Sequence, residues 1–432
     1  MPFTSRRAGP AAVGFLALLA LHATEPRAQD RIQGTVLKGV AAVKIAIPDP
    51  VADANAADAA REIAETLRDD LAYSGYFNVV DARLYSLVAA AVDGGVRHDD
   101  WIAIGADEVT RMVLRIEGDR VDLEVWLYNN ASKTNLLARR YGGSMALLRP
   151  IAHRVANELM RQYTGSDGVA RTRIAFVSTH GEGKEIYLMD YDGRRIRRLT
   201  TTGTINLSPV WSPPGDELAF VSWRGKQPGV YVMSAEGVLG HLSTVGGDLS
   251  ISPDWSPDGR KLAYSSDIDG NSEIYVLDRT NGRNTRLTRH PGIDTAPDFS
   301  HTGREIAFTS DRTGNPQIYV MDAEGLNVRR LTWRGDYNES AAWSPGGDRL
   351  AYVSRIDGRF EIMVLDVASE KLTQLTRGRG NNENPSWSPD GRHLVFSSNR
   401  AGSYDIYTIH ADGTNRRRLT RNGNCFTPDW SR

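Results

Sequence analysis

Six aromatic residues recur along the C-terminal part of the chain, Trp211, Trp255, Phe299, Trp343, Trp387 and Trp430, at spacings of 44, 44, 44, 44 and 43 residues. A fixed period of this length specifies an array of similar units, each burying its apolar face against its neighbours. The aromatic opens a turn phrase, as in Trp255-Ser256-Pro257-Asp258-Gly259 and Trp387-Ser388-Pro389-Asp390-Gly391, followed by an apolar alternation, Leu262-Ala263-Tyr264 or Leu394-Val395-Phe396. Proline presets φ at the first central turn position and glycine accepts positive φ at the end, so the phrase predicts a hairpin. A second series keeps the register, Tyr187, Tyr231, Tyr275, Tyr319, Met363 and Tyr407, with the apolar neighbours of a buried strand. After another glycine turn, a short strand ends in Arg-Leu-Thr or a close variant at Leu199, Leu242, Leu287, Leu331, Leu375 and Leu419. Four short strands per repeat describe a β-propeller blade.

The tyrosine series starts at Tyr187 with no aromatic strand before it, and Trp430 has no tyrosine strand after it. Segment 426–431 is therefore expected to be the innermost strand of the blade whose other strands lie between Arg173 and Thr200. That makes six blades in a closed ring with no free edge. An open solenoid would need polar capping units, and neither end of the array shows them.

Residues 29–163 lack the period. Ile63, Leu67 and Leu71 recur at helical spacing before Gly75, and Ile151, Val155, Leu159 and Tyr163 repeat the pattern. Val121, Leu123, Val125 and Leu127 alternate as a half-buried strand after a turn at Gly118-Asp119. The expected fold is an α+β N-terminal domain, its helices on one side of a small mixed sheet. A linker at 164–170 and an all-β six-bladed propeller over 171–432 follow.

Arg6 and Arg7 precede an apolar run from Ala11 to Leu21 and the small residues Ala23 and Ala28, the pattern of a secretory signal over residues 1–28. The run is too short for a hydrocarbon core that needs roughly 20 residues. A net charge of −1 supplies no global field to attract nucleic acid or an anionic membrane. Cys425 is the single cysteine, so neither an internal disulfide nor a Cys/His zinc cluster is expected.

No Gly-x-Ser-x-Gly elbow occurs, and the nine histidines (22, 98, 153, 180, 241, 290, 301, 393 and 410) show no paired ligand spacing. They are expected to be structural and at the surface. Asp267, Asp269, Asn271 and Glu273 alternate around Gly270 as a calcium loop might, but the matching hairpins of other blades carry other residues. A solvated turn is the expectation, with no metal, no cofactor and no catalytic residue.

With the repeat and the mixed domain established, further motifs become specific: Trp101-Ile102-Ala103-Ile104-Gly105-Ala106-Asp107, Arg171-Thr172-Arg173-Ile174-Ala175-Phe176-Val177 and Ile45-Ala46-Ile47-Pro48-Asp49. With them the chain resembles the TolB family, periplasmic components of the Tol–Pal envelope system. The resemblance implies a monomeric scaffold supporting outer-membrane integrity and constriction at cell division. It would bind Pal, a peptidoglycan-associated lipoprotein, at one mouth of the propeller channel and TolA through an N-terminal box near residues 30–43. The box residues would include Asp30, Arg31, Ile32 and Val36; the chain departs from the family pattern here, with Pro50 where phenylalanine is usual. The alternative class is a periplasmic propeller lyase or peptidase relative.

Residues four to six positions before each blade aromatic precede the innermost strand and are expected to ring the channel mouth. They include Asn206, Leu249, Ser250, Asp294, Thr295, Asn338, Glu339, Asn382 and Glu383. The resemblance places Thr295 at a position of Pal contact, Ser252 at another where alanine is common, and Leu249 where some relatives carry histidine. The competing expectation is that these polar residues cap strand ends through local hydrogen bonds.

Overall fold

The structure, a computed structural model, describes residues 42–89, 95–181, 183–225, 227–238 and 249–432. The expected leader and residues 30–41 of the expected N-terminal box, with Asp30, Arg31, Ile32 and Val36, lie outside the described residues, as do His22, His241 and Leu242. No described helix is long and apolar enough to cross a membrane.

The N-terminal domain runs β1 (Val43–Ala46), α1 (Ala57–Tyr73), β2 (Phe77–Val79), α2 (His98–Ala103), β3 (Glu108–Glu117), β4 (Arg120–Asn129), β5 (Thr134–Ser144) and α3 (Leu148–Thr164). The sheet order is β2-β1-β3-β4-β5, parallel where β1 meets β2 and β3 and antiparallel beyond. Val121, Leu123, Val125 and Leu127 are fully buried and share one apolar cluster with Ile63, Leu67 and Leu71 of α1 and Ile151, Val155 and Leu159 of α3. Helix α1 stops where the Ser74 N–H returns to the Asp70 carbonyl and Gly75 takes φ 67°. Two expectations need correction. The helices do not all lie on one side, because Trp101 of α2 packs with Ala46 and Val109 in a separate apolar cluster. Nor is 164–170 a free linker: Thr164 still belongs to α3, and Val169 and Ala170 are buried in the core.

Six antiparallel blades follow, numbered here from the one that begins at Arg173. Their inner strands are Cys425–Trp430 for blade one, then Asn206–Trp211, Ser250–Trp255, Asp294–Phe299, Asn338–Trp343 and Asn382–Trp387 for blades two to six. Five blades show four strands; the outer segment of blade two falls outside the described residues. The ring closes as the repeat demanded: Cys425–Trp430 pairs with Arg173–Ser178, with Trp430 opposite Ile174.

The turn phrase works through its serine. The Ser256 Oγ accepts the Lys261 N–H at 2.9 Å and donates to Asp258 at 2.6 Å, while the Gly259 N–H reaches the Ser256 carbonyl at 2.8 Å. Glycine is required there because φ is 69°. Ser388, Asp390 and Gly391 repeat the pattern. The residue before the aromatic stitches blade to blade: Asp254 accepts the Phe299 N–H at 2.6 Å, Asp298 that of Trp343 at 2.7 Å, and Asp429 that of Trp211 at 2.8 Å. The threonine of the Arg-Leu-Thr phrase is a second fastener. Thr288 accepts the Ile274 N–H at 2.9 Å and donates to buried Glu273 at 2.5 Å, and Thr376 does the same for Ile362 and Glu361.

Burial raises the carboxyls of Asp254, Asp298 and Asp429 above the ordinary aspartate range, Asp254 to about 7. A carboxyl raised on folding favours the folded state most at pH below its unfolded value, and that contribution is lost as pH climbs through the folded one. Melting of the native protein should therefore fall between about pH 4 and pH 7. Asp254→Asn should flatten part of that slope; a variant whose melting temperature keeps the full pH dependence would exclude Asp254 as a source.

The N-terminal domain docks on the turn-phrase face of blades six and one. The Tyr73 carbonyl, at the end of α1, receives Nε2 of both His393 and His410 at 3.1 Å. Asp70 accepts from the Tyr191 hydroxyl at 2.5 Å and pairs with His153 Nδ1 at 2.7 Å. The surface expectation thus fails for His393, 0 % exposed, and His153, 4 % exposed. Tyr73 of α1 stacks on His393 across the domain contact at 4.5 Å between ring centroids, and His153 is held between Asp70 of its own domain and the Tyr191 ring of blade one.

Candidate functional site

At the end of the ring where the inner strands begin, the three expected registers separate. The residues five before each aromatic, Asn206, Ser250, Asp294, Asn338 and Asn382, are at most 3 % exposed and do not line the mouth surface. Their neighbours explain it: Asn206 donates to Glu185 of blade one and Asn382 to Glu361 of blade five, both at 2.9 Å, clasping adjacent blades. Asn338 does the same to Gln317 at 2.8 Å, and Asp294 pairs with Arg312 at 2.9 Å. Ser250 donates to Ser266 at 3.3 Å, so Ser250 and Asp294 are held within their own blades by the local bonding that strand-end capping describes, while the three asparagines fasten neighbouring blades.

The residues four before the aromatic stay partly open to solvent. Thr295, Glu339 and Glu383 were anticipated; Leu207, Ile251 and Phe426 occupy the same register and were missed, although counting back from Trp211, Trp255 and Trp430 would have found them. Two positions earlier, six before the aromatic, Ile205 and Ile293 are 39 % and 51 % exposed, with Leu249 half-buried between them in ring order. The backbone of this rim is pinned from the next hairpin, the Leu249 N–H by Asp267 at 2.8 Å and the Ile293 N–H by Asp311 at 2.7 Å. The mouth therefore has an apolar arc on blades two to four and an acidic arc on blades five and six. On the acidic arc the Tyr337 hydroxyl donates to Glu339 at 3.0 Å and that of Tyr404 to Glu383 at 2.6 Å. Glu339 is raised by burial, with Glu383 adding repulsion.

Three before the aromatic, Ser208, Ser252, Ala296, Ser340, Asn384 and Thr427 all hold left-handed backbone, φ 41–55°. The strand ladder shifts register beside each one. Such conformations cost on the order of 1 kcal/mol or more per residue and persist only where flanking structure over-determines them. Here the paired strand on one side and the blade contact on the other do so. Ser252 thus lines the channel, a cavity of about 470 Å³ that also meets Asp254, Asp298 and Asp429, and not the outer rim.

The three carboxylates of the calcium-loop pattern are engaged by the protein, and the fourth side chain, Asn271, is held through its amide nitrogen. Asp267 holds the rim, Asp269 binds Arg286 at 2.8 Å, Glu273 binds Arg286 at 2.9 Å, and the Asn271 amide donates to two carbonyls at 2.8 Å.

Residues 160–432 match the family model described as the TolB beta propeller domain, and residues 35–136 match that of the TolB amino-terminal domain. A "Tol-Pal system protein TolB" of Geobacter sulfurreducens is 40 % identical over 212 residues, 47 % of this chain and 48 % of that protein. One of Bordetella pertussis is 36 % identical over 203 residues, 47 % and 44 % of the two chains. The chain thus spans about half the length of the curated relatives it matches. The crystal structure of TolB from Acinetobacter baumannii superposes with a TM-score of 0.79 at 27 % identity, covering 91 % of this chain and 97 % of that one.

Proposed function

The chain belongs to the TolB family of the Tol–Pal system and is not an enzyme, and from that premise we propose that it is a periplasmic scaffold that binds the lipoprotein Pal at the strand-start mouth of its propeller and TolA through its N-terminal segment. In that role it supports outer-membrane integrity and constriction during division. The observation that supports this reading most is the divided mouth. Exposed Ile205 and Ile293 beside Leu249 give an apolar patch bordered by Glu339 and Glu383, the pattern of apolar contact and polar rim that a protein partner covers.

Titration calorimetry of the full chain with the soluble domain of Pal tests the reading. A saturable one-to-one complex is expected, and no heat at micromolar concentrations would sink it. Glu339→Lys reverses a rim charge in an already acidic arc, so it should change the association rate and its salt dependence by several-fold more than the dissociation rate. Stopped-flow mixing at two ionic strengths reads this directly. Unaltered association would remove the acidic arc from the interface.

A further inference from the structure

Between α3 and the lower edge of blade one lies a second cavity, of about 360 Å³ and open to solvent, lined by Arg154, Arg171, Arg173, Arg195 and Arg197 with a single carboxylate, Asp190. Five arginines border this cavity although the whole chain carries a net charge of −1, and the Arg154 guanidinium lies 5.4 Å over the Tyr141 ring. Among the described residues, Arg195 alone of the five has a carboxylate within ion-pair distance, and that contact with Asp190 is loose, at 3.8 Å. Arg173 lies 4.8 Å above the Trp211 ring and donates to the Gly215 carbonyl at 3.1 Å, and Arg197 donates to the Ala235 carbonyl at 2.7 Å. These contacts orient the guanidiniums without neutralising them. Burial first, and then the neighbouring Arg197, hold Arg173 below its ordinary basicity against the opposing pull of Glu236 and Asp190.

The turn that supplies Arg195 adds a second, independent observation. Arg195 is held at φ 53°; the corresponding turns of blades four and six place Asn327 and Asn415 in the left-handed region, and that of blade five places Glu370 there at φ 54°. Asparagine tolerates this conformation and long side chains rarely adopt it. Arg195 holds that left-handed position with its side chain largely exposed at the edge of the cleft it lines.

We propose that this interdomain cleft is an anion site that takes a phosphate group. One carboxylate is satisfied by a single arginine fork, whereas a phosphate offers more charge and three acceptor oxygens to several forks at once. The side of α3 and the turn of blade one both contribute, so occupancy bridges the two domains. The same chemistry could come from a soluble phosphate or from a phospholipid headgroup.

The test uses the full chain, calorimetry with inorganic pyrophosphate, and co-sedimentation with vesicles of phosphatidylglycerol against phosphatidylcholine. Arg171→Glu and Arg197→Gln are the variants. Both side chains are exposed, Arg197 loses one hydrogen bond, and unchanged melting confirms folding. One-to-one pyrophosphate binding weakened at least about tenfold in either variant supports the site with a soluble ligand. Binding to phosphatidylglycerol vesicles only, lost in Arg171→Glu, supports it with a lipid headgroup. No binding to either probe, or binding undiminished in both variants, overturns it. None of these outcomes depends on the partner proposed for the channel mouth.

Discussion

A chain ending at Cys425 loses cooperative unfolding. The missing strand carries Asp429, which accepts the Trp211 N–H at 2.8 Å and the Ser386 hydroxyl at 2.7 Å, so blades two and six both lose their fastener to blade one. It also carries Trp430, 2 % exposed, which donates to Thr172 at 2.7 Å and joins the apolar cluster holding Tyr73 and Tyr191. Removal opens the ring and uncovers the interdomain core in one cut. Losing one buried tryptophan costs about 3–5 kcal/mol, against a typical total of about 5–15, before the strand's ladder is counted. Trp430→Ala alone should therefore lower the melting temperature by roughly 5–15 °C in calorimetry. A truncated chain that melts in one transition at the parent temperature would refute the closure.

Thr295→Trp should abolish Pal binding while leaving the fold intact. Thr295 pairs with Thr309 in the ladder and keeps its side chain half-open at the rim, between the apolar and acidic arcs. Strands accept tryptophan readily, so the ring should melt as before. An indole standing in the mouth denies a rigid partner its fit, and the affinity should fall at least about a hundredfold, close to 3 kcal/mol. Affinity within a factor of two of the parent would move the interface elsewhere.

The repeat made the propeller and its closure legible because the aromatic and the turn phrase are local signals with a fixed count between them. The mouth was legible only in part. Asn206 and Glu383 look alike as polar residues near a strand start, yet one fastens blades and the other faces solvent, because alternate positions of a strand point to opposite sides. The acidic residues that anchor the third strands, Glu185, Glu273, Glu361 and Asp405, gave no local sign of burial; their partners Thr200, Thr288, Thr376 and Thr420 lie about a strand and a turn away. The burial of His393 against Tyr73, and of His153 between Asp70 and Tyr191, rests on contacts between residues far apart in the chain, which leave no periodicity in the sequence.

The closure also sets when the molecule can fold. Arg173 and Ser431 are hydrogen-bonded at a separation of 258 residues, and contacts that distant form late because loop-closure entropy must be met first. Until the last strand arrives, Arg173–Ser178 presents an unpaired edge, the template on which strands of other chains add. The same pairing that finishes the ring makes the unfinished chain a ready substrate for aggregation, so delay in completing it should be a principal hazard of this protein's biogenesis.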